Sequence, residues 1–282
     1  MPEARCLCGD HAWRVDAPLQ LLHHCHCGYC RKHQGVAYTT MGAVQPDDFA
    51  WLSKGETIEY ESSPGFRRVS CARCGSPIPA PPGELGLVFV FAGPLEGDPG
   101  ERPNSHIFVA SKAPWLEIED GLPAFDAYPP GYDATEHPTR TSDDPAGEGV
   151  RGSCLCGGVR FVVDGDPIIA RHCHCLRCRR GRAALHASNM VVPFGAIRIT
   201  HGEDRVRAWK VPDARHFTQC FCADCGSTVP TVDAGRGIAI VPMGCLDDAP
   251  RTVPSEHIWV GSKSSWHEIP DSLPQYPEGP PS

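Results

Sequence analysis

The feature that most constrains this chain is a cysteine pattern that occurs twice. Cys6-Leu-Cys8-Gly returns as Cys154-Leu-Cys156-Gly, and His24-Cys25-His26-Cys27 with Cys30 returns as His172-Cys173-His174-Cys175 with Cys178, each 148 residues later. Further on, Cys71-Ala-Arg-Cys74-Gly-Ser returns as Cys222-Ala-Asp-Cys225-Gly-Ser, 151 residues later. The same 151-residue offset relates His106, Lys112 and Trp115 to His257, Lys263 and Trp266. A chain built this way folds as two similar units of about 120 residues, each long enough for its own small core if metal supports it. The expected division is a first domain over 1–127, a linker over 128–150 rich in Pro, Gly, Asp and Thr, and a second domain over 151–282.

Each copy carries seven cysteines in three groups, Cys-x-Cys, Cys-x-Cys-x-x-Cys and Cys-x-x-Cys. A Cys-x-x-Cys turn brings two thiolates to one metal, and Cys-x-Cys puts two side chains on one face of an extended segment. The first and last groups together supply Cys6, Cys8, Cys71 and Cys74, and in the second copy Cys154, Cys156, Cys222 and Cys225. Four soft ligands complete a tetrahedral zinc and make a closed, structural site. The middle group leaves three, Cys25, Cys27 and Cys30, or Cys173, Cys175 and Cys178. A zinc with three protein thiolates keeps an open position, and its natural fourth ligand is another thiolate. The alternatives at this point are a disulfide framework, and a histidine that closes the three-cysteine site. His24, His26, His172 and His174 alternate with the ligands and would point to the opposite face, which leaves His106 and His257 as distant fourth ligands, acid–base groups or packing residues.

Other features narrow the class. Glycine and proline number 29 each in 282 residues, which disfavours long helices and predicts short strands joined by turns. Strands are expected over 36–44, 57–60, 87–91 and 106–110, and over 160–163, 206–211, 237–241 and 257–260. Net charge −8 argues against a general nucleic-acid binder, and the longest apolar run, Leu87 to Ala92, is too short to cross a bilayer. The first twenty residues show no secretory signal, so a cytoplasmic location is the expectation. Arg31, Lys32, Arg67, Arg68, Arg179, Arg180 and Arg182 follow or precede the clips and are read either as anchors for an acidic thiol or as solvated surface charge. Trp115 and Trp266 read as core or rim packing, and Cys220 and Cys245, outside the seven-cysteine scheme, as small buried residues.

Gly-Ser-Cys-Leu-Cys-Gly at 152–157, Cys-His-Cys-x-x-Cys-Arg at 25–31 and 173–179, Ser-Pro-Gly at 63–65, Cys-x-x-Cys-Gly-Ser at 71–76 and 222–227, and the His-Ile segments at 106 and 257 resemble the glutathione-dependent formaldehyde-activating enzyme family, which includes centromere protein V. The resemblance covers nearly the whole chain outside the linker, in tandem. It implies a mainly β fold, two tandem zinc-binding β-tent domains, with about two zincs per domain: structural on the outer four cysteines, catalytic on Cys25, Cys27 and Cys30 and on Cys173, Cys175 and Cys178. It also implies a carbon–sulfur lyase that adds glutathione to formaldehyde to form S-(hydroxymethyl)glutathione, with a small thiol and a small aldehyde as partners. The rival is a non-enzymatic zinc-stabilised scaffold for a protein or peptide. Copy one departs from the family pattern at Asp10-His11 and copy two at Arg182-Ala183; Gly35, at the position of Ala183, favours copy one as the working site because it would let a ligand approach the backbone.

Overall fold

A computed structural model describes residues 1–83, 85–131 and 149–280. Among these residues the fold is mainly β, with two seven-residue helices, α1 (Gly28–Gln34) and α2 (Leu176–Arg182), at equivalent places in the two copies. Among the described residues no helix is long and apolar enough to cross a membrane.

In the first copy, Glu3–Arg5, Ala12–Val15 and Phe49–Ser53 form an antiparallel sheet, while Thr57–Ser63, Phe66–Cys71 and Pro77–Ile78 form a second. Alternation builds these strands: Trp13 and Val15 are buried in the core while Arg14 between them reaches out to Asp16. The third sheet has the order His106–Ile107, Gln20–Cys25, Thr39–Val44, Val88–Phe91, and it carries the middle cysteine group. The second copy repeats this sheet as Ile238–Pro242, Ala187–Pro193, Ile169–Cys173 and His257–Ile258, with an added edge strand Thr231–Asp233. In both, the short His-Ile strand runs parallel to the strand entering the clip, and His106 pairs with His24 as His257 pairs with His172.

The strands expected at 106–110 and 257–260 stop after two residues because Phe108 (φ 58°) and Trp259 (φ 60°) adopt the left-handed conformation and start a 3-10 turn. The strand expected at 36–44 begins only at Thr39, since α1 ends with Gly35 in the left-handed cap and the chain must first turn back. Residues 132–148, most of the expected linker, lie outside the described residues. Tyr128, assigned to the linker by composition, instead packs with the first copy's middle clip, at the end of a segment that hydrogen-bonds alongside His106–Val109.

The copies pack face to face about an approximate two-fold axis, and several contacts recur with the copies exchanged. A Cβ on Gly93 would lie 2.1 Å from the Ala184 backbone, and one on Gly244 would lie 2.3 Å from the backbone of Val36, the residue equivalent to Ala184. Gly75 likewise meets Phe221 and Gly226 meets Ser70, the equivalent residue. Trp266 packs in the core of the first copy and Trp115 against the core of the second, so each copy's tail supplies an aromatic side chain to the other. Core or rim packing was expected for both tryptophans; exchange between copies was not.

Candidate metal centres and a shared cavity

The outer cysteines meet because two local turns face each other. The turn after Cys8 is closed by Gly9 at φ 87°, and that after Cys74 by Gly75 at φ 70°. The Ser of Cys-x-x-Cys-Gly-Ser ties them: Ser76 Oγ accepts from Leu7 N at 3.0 Å, and Ser227 Oγ from Leu155 N at 3.2 Å. The sulfur ligand atoms of Cys6, Cys8, Cys71 and Cys74 all lie within 4.8 Å of one another, as do those of Cys154, Cys156, Cys222 and Cys225. Individual separations are 3.5 Å for Cys6–Cys8, 3.6 Å for Cys8–Cys71, 3.4 Å for Cys154–Cys156 and 3.8 Å for Cys156–Cys222. A tetrahedron with metal–sulfur bonds of about 2.3 Å has edges of about 3.8 Å, so both clusters have the size of a zinc-type tetrathiolate site. Amides soften their charge: His11 N donates to Cys6 Sγ at 3.3 Å and Val159 N to Cys154 Sγ at 3.1 Å.

Cys25, Cys27 and Cys30 form a third cluster and Cys173, Cys175 and Cys178 a fourth. Cys27 and Cys175 cap α1 and α2, their sulfurs accepting from Cys30 N at 3.3 Å and Cys178 N at 3.4 Å. Crowding splits the thiols. Hydrogen bonds from Cys25 and Cys27, helped by Arg68, hold Cys30 well below its ordinary range, whereas hydrogen bonds to Cys27 and Cys30 and burial push Cys25 well above. In the second copy Cys173 and Cys178 bring Cys175 down to about 3, while Cys173, bonded first to Cys175, rises to about 12. Three adjacent thiolates cannot all be charged here without a cation, which is the condition a bound metal meets.

The basic residues divide differently from expectation. Lys32 is buried against Asp247 of the second copy and also donates to Ser153 Oγ at 2.7 Å. Arg179 donates across the interface to Gly93 O at 2.9 Å and Leu95 O at 3.1 Å, and Arg180 pairs with Glu96. Arg31 Nε donates to Ser111 O at 3.1 Å, and Arg67 pairs on the surface with Glu59. Lys32, Arg179 and Arg180 thus hold the copies together, Arg31 is buried against its own copy's tail, and Arg67 lies on the surface. Arg68 does reach a middle cluster, with Nη1 3.6 Å from Cys30 Sγ. Its counterpart is Gln219, bonded instead to Gly181 O and Thr228 Oγ1, so copy two lacks this cation. Gly35 does not admit a ligand either: the direction of its missing Cβ is filled by Pro242 and Arg182 of the second copy, at 2.8 and 2.9 Å. Cys220 and Cys245 are buried, and Cys245 Sγ donates to Thr228 O at 2.9 Å.

The histidines beside the ligands point away from them, as the alternation predicts, and His26 and His172 reach a cavity between the copies. Its lining includes His26, Tyr38, His106 and Asp120 of the first copy and His186, His257, His267 and Asp271 of the second. His106 Nε2 lies 2.9 Å from Asp120 and its Nδ1 2.8 Å from His26 Nε2; the second copy repeats this as Asp271–His257–His174. Both nitrogens of His106 and His257 are therefore engaged, and neither closes a cysteine site. Burial drives His24 and His186 well below the ordinary imidazole range and takes His267 down to about 4, so these rings are neutral near pH 7.

The family model described as glutathione-dependent formaldehyde-activating enzyme matches residues 1–111 and 149–262. The chain belongs to this family. Its two matched segments coincide with the two cysteine-bearing copies, and the family's metal-binding character agrees with cysteine clusters that can hold metal ions. A solved structure of a Rhodobacter sphaeroides protein is 23% identical, over 37% of this chain and 97% of its own, with a TM-score of 0.30. Comparison with the curated proteins gave no match. Relative to the sequence reading, Tyr128 beside the first middle clip and the His186–His267 wall of the cavity are new. Tyr128 sat in a Pro-rich stretch with no periodicity, and His186 and His267 have no histidine at the equivalent positions of copy one, Tyr38 and Leu116, so the repeat did not flag them.

Proposed function

We propose that the protein is a zinc-dependent carbon–sulfur lyase of the S-(hydroxymethyl)glutathione synthase type, joining a glutathione-like thiol to a small aldehyde such as formaldehyde, or running the reverse. The observation that supports this best is a pair of buried clusters with three cysteines each, beside a pair with four. Cys6, Cys8, Cys71 and Cys74, with their second-copy equivalents, would hold structural zinc; Cys25, Cys27 and Cys30, or Cys173, Cys175 and Cys178, would hold a zinc with room for one more ligand. That is about two zincs per copy. A zinc bound there supplies positive charge that favours the thiolate form of an incoming thiol.

The chain's own residues do the rest. Arg68, beside Cys30, offers a fixed guanidinium to the incoming thiol's negative charge in copy one. The sulfur lone pair forms the new C–S bond at the aldehyde carbon, and the C=O π pair moves to oxygen, which must take a proton. His106 and His257 were the sequence candidates for that donor, but both rings are engaged on the opposite face. Tyr128 takes this role in copy one: it packs on the cysteine cluster, and burial with the nearby Cys25, Cys27 and Cys30 pushes its phenol up to about 12, so it carries its proton at neutral pH.

Because the thiol and formaldehyde also combine without help, the test is a rate. Exchange between free formaldehyde and its glutathione adduct is followed by NMR, with and without the zinc-loaded chain. Acceleration that is lost in C27S/C175S supports the lyase; no acceleration by the loaded wild type refutes it and leaves the zinc-stabilised scaffold.

A further inference from the structure

We propose a metal site of a different kind in the second copy alone, in which His174, His186 and His267 hold a zinc-type divalent ion at the wall of the cavity between the copies. One imidazole nitrogen of each lies within 4.8 Å of those of the other two, and all three residues are buried. Three neutral imidazoles are a common donor set for a zinc with an open position.

Proton bookkeeping along the hydrogen-bond chain identifies the lone pair on offer. With Asp271 accepting from His257 Nε2, the His257 tautomer that can accept at Nδ1 takes its hydrogen bond from His174 Nε2. His174 therefore carries its proton at Nε2 and its lone pair at Nδ1, and that nitrogen is buried without a hydrogen-bond partner, as is His186 Nδ1. Two such groups buried without a partner carry a desolvation penalty that a shared cation removes. The carboxylate–histidine relay behind His174 is also the arrangement that orients metal-binding imidazoles and raises their basicity.

The first copy is an internal control. It keeps the relay, Asp120–His106–His26, and even the orphaned His26 Nδ1, but Tyr38 stands where copy two has His186 and Leu116 where it has His267. Two of the three ligands are absent, so the site is confined to copy two. His186 and His267 also line the cavity, so a small molecule entering it can reach the ion. None of this depends on the lyase reading.

The test loads the reduced full-length chain with zinc and counts metals by native mass spectrometry, beside H186Y/H267L, which places the first copy's own residues at these positions. Wild type is expected to hold one more zinc than the variant, and its zinc-edge absorption to show imidazole scattering that the variant lacks. Equal counts, or imidazole scattering that persists in the variant, overturn the site. If the variant does not fold, the wild-type spectrum decides alone: an all-sulfur shell at every zinc overturns the proposal.

Discussion

Two ion pairs related by the approximate two-fold axis offer a controlled test of how burial sets the value of a charge. Lys32 of α1 pairs with Asp247, and Arg180 of α2 pairs with Glu96, the residue equivalent to Asp247. Topology and distance class are shared, but solvent is not: the side chains of Lys32 and Asp247 are 1% and 0% exposed, those of Arg180 and Glu96 13% and 48%. Replacing Lys32 by Met leaves the Asp247 carboxylate buried with Ser153 Oγ as its remaining donor, which costs about 3–5 kcal/mol. Replacing Arg180 by Met leaves Glu96 in water and costs about 0–1 kcal/mol. Because the Lys32 penalty is mostly desolvation of the abandoned partner, K32M/D247L is expected to recover at least half of it. The assay is urea unfolding at saturating zinc, read by tryptophan fluorescence, since Trp115 and Trp266 each sit against the other copy and report docking. Equal losses for K32M and R180M, or a double variant as damaged as the sum of its singles, would refute the reasoning.

Other consequences are as direct. Gly93→Ala drives a methyl into the Ala184 backbone at 2.1 Å and is expected to destabilise docking by about 3 kcal/mol or more in the same urea assay, whereas Gly83→Ala, with nothing within 4 Å, changes it by under about 0.5 kcal/mol. Burial lowers the His33 imidazole from 6.5 to about 3, so the unfolded chain binds its proton first as pH falls. Its contribution is complete above pH 6.5 and drains away towards pH 3; the wild type should lose roughly 2 kcal/mol more than H33N between pH 7.5 and 5. Arg68→Gln, which copies Gln219 of the second copy, is expected to weaken thiol binding at the first middle clip about five-fold by calorimetric titration, a loss near 1 kcal/mol for a partly exposed cation, without changing zinc content.

The cysteine grouping is legible in the sequence itself. Cys-x-Cys and Cys-x-x-Cys are short enough that backbone geometry alone brings their sulfurs together, and the repeat shows which groups belong to one copy. The outward alternation of His24 and His26 followed from the two-residue period of a strand. Neither reading of the basic residues foresaw buried pairs between the copies, because sequence shows charge but not burial: Lys32 looks like a surface lysine until Asp247, 215 residues away, is placed against it. Tyr128 was lost in the linker for a similar reason, since what makes it part of the first copy is backbone pairing of its segment with His106–Val109.

What the sequence by itself determined was the grouping of the cysteines and the duplication, because ligand spacing is local and a repeat is visible in one dimension. Only the tertiary structure decided how the copies share their parts: the glycines that allow backbone contact, the exchanged tryptophans, and the histidines of both copies around one cavity. The cross-copy contacts join residues far apart in the chain, Gly93 with Ala184 and Lys32 with Asp247, 215 positions away, and nothing in the local pattern of either partner encodes their proximity.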